Sequence, residues 1–255
     1  MKILCFWFRF YLKKMNLTID IGNKRIKAGV FKGKRIYRFF SCLNSEFGKI
    51  SFPEDWKNFK IKKCGISSVF PDLNFLVEKE VKKIFKIEPL FLNYKICGMK
   101  LKIKNPEKIG IDRIVNCKGA SEIFGWPVIV IDIGTGLTID VVDKNKFFIG
   151  GFILPGPELW INSLKNTALI KEIEEKKCRS IGKDTSSAIN LGLLYGISGS
   201  IEKIVSKIKK DFETSNVVLT GGWSEKIYRL LSFEKKLRKY LTLEGINIIL
   251  DEYGN

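Results

Sequence analysis

Two stretches of the chain, "LTIDIGNKRIKAGVF" from Leu17 and "VIVIDIGTGLTIDVV" from Val128, each end an apolar run in Asp-Ile-Gly and turn tightly into an alternating strand. A strand that closes on Asp and passes through Gly offers backbone N–H groups to an anion, while its carboxylate can hold a cation directly or through water. One such turn alone is ordinary hairpin chemistry. Two at matching positions point to a pair of turns that grip a nucleoside triphosphate and its metal. A third candidate is Thr220-Gly221-Gly222 in "NVVLTGGWSEKIYRLL", where an apolar strand meets a helix start. That helix N-terminus could receive a nucleotide, and a plain strand-to-helix turn reads equally well. Asp112 and Arg113 open a further helix. An Asp there can take a hydroxyl proton, or simply complement the helix dipole with Arg113 as its ion-pair partner.

The chain has no histidine. Ser-His-Asp and Cys-His catalysis, His-ligated zinc and phosphohistidine relays are therefore excluded, and proton transfer falls to carboxylates, Lys, Tyr or Cys. Familiar nucleotide signatures are absent too. "SIGKDT" lacks the first Gly of a P-loop and follows Gly182-Lys183 with Asp184. "GTGLTI" from Gly134 ends on Ile139 and runs on as a strand, so it is no dinucleotide fingerprint.

The elements that must carry these residues follow from periodicity. Leu17–Asp20, Ile26–Phe31 and Arg35–Phe40 read as three consecutive strands, a meander. Strands at Lys63–Val69 and Pro89–Asn93 flank a helical stretch, Leu73–Lys86. A helix from Ile111 to Gly125 precedes a second copy of the order: strands at Val128–Asp132, Leu137–Val142 and Phe147–Leu154, then helices, then a strand at Val217–Leu219. Two related α/β domains result, 17–115 and 116–255, with the boundary near Asn116. The apolar run inside residues 1–16 is broken by Arg9, is too short to span a bilayer and has no small-residue cleavage site. It reads as an N-terminal extension upstream of a start at Met15.

Composition sets outer limits. The 255 residues are 45% hydrophobic and 28% charged, ordinary for a globular protein. The net charge of +18 comes mostly from Lys spread along the chain, which reads as a solvated basic surface and argues against a nucleic-acid site. Six scattered cysteines form neither a zinc site nor a disulfide framework, so a reducing cytoplasm is expected. No membrane span is expected either, although the apolar run inside residues 1–16 leaves a surface-associated anchor open.

Taken in order, Asp20–Asn23, "NPEKIGIDR" ending at Arg113, "DIGTGLT" from Asp132, "GGFILPG" from Gly150, "IGKDT" ending at Thr185, "LTGG" and "LTLEGI" resemble type III pantothenate kinase. The resemblance runs from Leu17 to Ile249. It implies the acetate and sugar kinase, Hsp70 and actin superfold, ribonuclease H-like, with two duplicated domains and an interdomain cleft. It further implies a homodimer that phosphorylates pantothenate with ATP, the first step of coenzyme A synthesis. By the same resemblance, Asp20, Ile21, Gly22, Asn23, Lys24, Arg25, Ile26 and Lys27 form the first phosphate-binding loop, and Thr135 is a further ATP contact. Asp132 binds a monovalent cation, potassium or ammonium, and magnesium accompanies the ATP. Gly110, Ile111 and Arg113 bind pantothenate, Asp112 accepts the proton, and Thr185 contacts substrate.

The resemblance has local departures. Lys24 stands where Thr is usual, Gly136 and Leu137 where Ala and Thr are, Ile103 where a substrate-binding Tyr is often found, and Asp184 where Asn is common. Two other readings remain open: a non-catalytic relative acting as an accessory transcription factor, and a kinase of the same superfold for another small alcohol.

Overall fold

The computed structural model describes residues 15–165, 180–212 and 216–253. The expected extension, 1–16, falls outside them except for Met15 and Asn16. Those two are not extension: they open the first strand, β1 (Met15–Ile21), where Met15 pairs with Lys32 and Asn16 with Phe31. Asn16 is buried and donates through Nδ2 to Asn247 Oδ1 at 3.0 Å and Asp251 Oδ1 at 2.8 Å.

Chain contacts divide the protein into two units, Met1–Met99 with Asn105–Gly119 and Leu241–Asn255, and Lys100–Lys104 with Ala120–Tyr240. In the first, β1 lies between two neighbours. On one side β2 (Arg25–Lys32) and β3 (Arg35–Leu43) continue it as an antiparallel meander. On the other, β4 (Ile61–Ser68) and β5 (Pro89–Phe91) run parallel to it, giving the order β3-β2-β1-β4-β5. Parallel strands need a crossover, and α1 (Asn74–Phe85) provides the one between β4 and β5. Leu17, Ile19 and Ile21 alternate onto one face of β1 and pack with Ile26, Ala28, Val30, Val77, Val81 and Trp56. Trp56 comes from a 3₁₀ turn, Glu54–Asn58, inside a stretch with no periodic signal.

The second unit repeats the plan. β7 (Val128–Ile133), β8 (Gly136–Val142) and β9 (Phe147–Pro155) form the meander, with β10 (Asn216–Thr220) and β11 (Lys236–Leu237) parallel to β7. Read from β9, the order β9-β8-β7-β10-β11 matches the first sheet strand for strand and sense for sense. A short strand, β6 (Lys100–Leu101), adds to the outer edge of β9. Ile129, Ile131 and Ile133 pack against Leu193, Ile197, Ile201 and Val205 of the long helix α4 (Thr185–Phe212), which follows α3 (Pro157–Lys165).

The units are not the two contiguous halves, 17–115 and 116–255, that the repeat suggests. The chain leaves the first unit at Gly119, inside α2 (Ile111–Phe124), and returns to it for the last helix, α6 (Leu241–Glu252). The reason is packing: α6 buries Leu243, Ile246 and Leu250, which lie against Gly29 of β2 and Gly65 of β4. It also crosses α2 closely, since a Cβ on Gly119 would sit 3.0 Å from Gly245 Cα. Only a pair of glycines admits that approach.

Candidate active site

In the first unit the Asp-Ile-Gly turn connects β1 to β2. Asp20 pairs across the sheet with Lys27 and, on the parallel side, with Ser67 of β4. Its carboxylate is 6% exposed as a residue and lies 3.7 Å from the Lys27 Nζ. The turn is closed by Gly22 N–H donating to Arg25 O at 3.1 Å, and it presents Asn23, Lys24 and Arg25 to solvent while Ile21 and Ile26 stay in the core. Asn44, just past β3, donates from its backbone to Lys24 O and from its side chain to Gly22 O, both at 2.9 Å. Beside the turn, burial and then Glu46 push the Cys42 thiol up, with Arg25 opposing.

The segment Gly110–Arg113 is brought to the same end of this sheet. Val69, one residue past β4, donates its N–H to Ile21 O at 3.0 Å. Gly110 lies beside it: a Cβ there would be 3.8 Å from Val69 Cγ1 and only 2.6 Å from Asp112 Oδ1. Asp112 stands in the first turn of α2, where Oδ1 accepts the Arg113 N–H at 2.9 Å. Asp112 and Arg113 are half-buried, and Ile111 behind them is buried. A helix N-terminus favours the charged form of a carboxylate, and here the carboxylate lies beside the end of a strand that is bonded to the hairpin strand.

The second unit's turn is built differently around an equivalent Asp. Asp132 pairs with Thr138 of β8 and Thr220 of β10. Gly134 N–H donates to Gly136 O at 3.0 Å, and Gly156 N–H donates to Thr135 O at 3.0 Å, so Thr135 caps the turn. Ile133 O accepts from Trp223 N–H at 3.1 Å, which ties the turn to the segment after β10. There Gly221 has φ +93°, and a Cβ on it would lie 2.4 Å from Asp132 Oδ1 and 2.6 Å from the Ile133 backbone. The Thr-Gly-Gly of the strand-to-helix junction and the Asp132 turn are thus one site. Ser224 locks the junction by donating its Oγ to Gly221 O at 2.7 Å, at the start of the short helix α5 (Ser224–Tyr228).

Thr185 is the exposed first residue of α4. Its neighbour Asp184 forms a reciprocal cap: Asp184 Oδ1 accepts Ser187 N–H at 3.0 Å and Ser187 Oγ accepts Asp184 N–H at 3.2 Å. Sequence reasoning missed Asn44, which belongs to no motif, and Ser67, whose buried hydroxyl is without a hydrogen-bond partner among the described residues.

No group of three or more His, Cys, Asp or Glu that could hold a metal is found among the described residues. A hard cation would take its oxygen donor from Asp132, whose Oδ1 faces Gly221, a residue without a side chain, and oxygen is the ligand type that magnesium and alkali cations take. No helix among the described residues is long and apolar enough to cross a membrane.

A family model for type III pantothenate kinase matches residues 16–207. The type III pantothenate kinase of Agathobacter rectalis is 36% identical over 254 residues, 92% of this chain and 96% of that protein. That of Finegoldia magna is 33% identical over 252 residues, with 92% and 96% covered. Among solved structures, a Campylobacter jejuni protein described as belonging to the Baf family of transcriptional activators superposes with a TM-score of 0.61 at 21% identity, covering 92% of this chain and 98% of its own. The Clostridium difficile activator of 2-hydroxyisocaproyl-CoA dehydratase, with ADPNP bound, gives 0.52 at 13% identity, covering 93% and 95%. At such identities the likeness is one of fold, that of the actin, Hsp70 and sugar kinase superfold.

Proposed function

The chain belongs to the type III pantothenate kinase family, and from that membership we propose the roles of its residues in moving the γ-phosphoryl group of ATP to the hydroxyl of pantothenate. The protein is a kinase of coenzyme A synthesis, with ATP and pantothenate as substrates and a divalent metal such as magnesium accompanying the ATP. Phosphoryl transfer asks a protein for positioning, for neutralisation of the polyphosphate and for a proton acceptor. The Asp20–Lys27 hairpin supplies backbone N–H groups and the Lys24, Arg25 and Lys27 cations to phosphate. Thr135 and the Gly134 turn supply a second set. Asp132 holds a monovalent cation, potassium or ammonium, which would add positive charge beside the polyphosphate. Gly110, Ile111 and Arg113 seat pantothenate, Thr185 contacts it, and Asp112 takes the proton from the attacking hydroxyl.

The observation that carries this reading is the neighbourhood of Asp112. It stands in the first turn of α2 beside Val69, whose N–H is bonded to the last residue of the hairpin strand, so Asp112 and the Gly22 turn share one sheet end. Homodimer formation is supported by the solvent-facing stripe Ala188, Gly192, Tyr195 and Gly199 along α4, spaced for helix-on-helix contact. A cytoplasmic location accords with the buried thiols of Cys42, Cys64 and Cys97, none of which is in a disulfide among the described residues. The test is ADP release, coupled to an optical assay, with pantothenate and a panel of other primary alcohols in potassium and in sodium. Turnover confined to pantothenate and dependent on potassium supports the reading. Equal turnover of a sugar, or none on any alcohol, refutes it.

A further inference from the structure

We infer that Asn44 is a positioning residue for the phosphate-binding hairpin: it holds two carbonyls of the Gly22–Arg25 turn so that the intervening N–H groups face a bound triphosphate. The inference rests on reading residues 20–27 as that hairpin. Asn44 N–H donates to Lys24 O and Asn44 Nδ2 donates to Gly22 O, each at 2.9 Å. A trans peptide points its C=O and the following N–H in opposite directions. Fixing Gly22 O on Asn44 therefore turns the Asn23 N–H away from Asn44, and fixing Lys24 O does the same for the Arg25 N–H. Those are residues of the exposed arc of the turn. Without the two bonds, rotation of either peptide unit would carry a donor off the anion.

The side chain pays for nothing else in the structure. Its Oδ1 is buried and has no hydrogen-bond partner among the described residues. A purely architectural Asn would be expected to satisfy both ends of its amide, since a buried acceptor left unpaired is unfavourable. Removing the side chain deletes one good hydrogen bond and one orphaned acceptor together, so the fold should be nearly indifferent while the turn is not.

Asn44→Ala and Asn44→Asp in the full chain test this. Asn44→Ala should raise the KM for ATP about 5- to 10-fold, the weight of one hydrogen bond net of solvent. The KM for pantothenate, the competitive inhibition constant of adenosine, which has no phosphates, and the melting midpoint should stay at parental values. Asn44→Asp replaces the donor with a carboxylate facing Gly22 O and the incoming phosphates, so its KM for ATP should rise further than that of the Ala variant. If the parent turns over no pantothenate, the functional reading fails. The inference is then read from intrinsic fluorescence titrations, where weaker ATP binding with unchanged adenosine binding still supports it. It is overturned if ATP affinity moves less than twofold in both variants. It is overturned equally if adenosine, pantothenate and melting shift in step with ATP, because the residue would then serve only the fold.

Discussion

Gly221 and Gly222 are adjacent in the sequence and should respond oppositely to the same substitution. Gly221 has φ +93°, a conformation that L side chains rarely adopt, and its Cβ would lie 2.4 Å from Asp132 Oδ1 and 2.6 Å from Ile133 backbone atoms. The obstacles are a strand backbone bonded on both sides and a carboxylate, not the end of a flexible side chain. Strain at an unfavourable φ/ψ costs about 1–3 kcal/mol. Forced overpacking adds about 1–3 kcal/mol. Gly221→Ala should therefore destabilise by roughly 3–5 kcal/mol, which at about 2–4 °C per kcal/mol lowers the melting midpoint by on the order of 10 °C. Gly222 is exposed, its φ is unremarkable and nothing lies within 4 Å of its Cβ position, so Gly222→Ala should melt within about 2 °C of the parent. Thermal melts of both variants, with and without magnesium ATP, decide the matter. Because the displaced groups are Asp132 and Ile133, the Gly221 variant should also lose most of the stabilisation that ATP gives the parent. Equal melting of the two variants would refute the argument that the TGG junction and the Asp132 turn form one rigid site.

Asp112→Asn keeps the shape of the helix start but removes the proposed proton acceptor, so kcat should fall by about 10²- to 10⁴-fold with ATP binding retained. A melting curve must accompany it, because a charge at a helix N-terminus is itself worth about 0.3–1 kcal/mol. Asp132→Asn should weaken ATP binding and erase the difference between potassium and sodium buffers, measured as ATP KM in each salt. Ending the chain after Tyr240 removes Leu241, Leu243, Ile246, Ile249 and Leu250, all buried. At about 1.5–3 kcal/mol each this is comparable to the whole stability of an ordinary domain, so the truncated protein should show no cooperative transition for its first unit.

Much of this arrangement was legible because the physics behind it is local. Leu17, Ile19 and Ile21 alternate with Thr18 and Asp20, and the same alternation recurs at Ile129, Ile131 and Ile133, so both hairpins could be placed to within a residue or two. The helices α1 and α2 were equally legible, the first through its apolar spacing. What escaped was long-range. Trp56 fills the first core from a 3₁₀ turn that has no period, and β6 and β11 are two-residue strands that exist only because β9 and β10 offer an edge. The membership of α6 in the first unit escaped for the same reason: nothing local in "LTLEGI" says that Gly245 will meet Gly119. Asn44 carries no motif and acts through two carbonyls of a turn twenty residues earlier.

The duplication itself withholds one thing, namely which of two equivalent aspartates would take the proposed cation. Asp20 and Asp132 occupy the same place in strands of the same order, and by sequence either could serve. Their cross-strand partners differ. Opposite Asp20 stands Lys27, whose ammonium is 3.7 Å away and supplies within the protein the positive charge that a metal would otherwise bring. Opposite Asp132 stands Thr138, and its Oδ1 lies close against Gly221, a residue with no side chain. A cation at Asp20 would have to displace or be repelled by an ammonium, at a cost of about 1 kcal/mol even at the dielectric of water and several at that of a protein surface. On the proposed roles, the divergence of one cross-strand neighbour, Lys against Thr, would separate a turn that meets phosphate with its own charges from one that meets it through an ion.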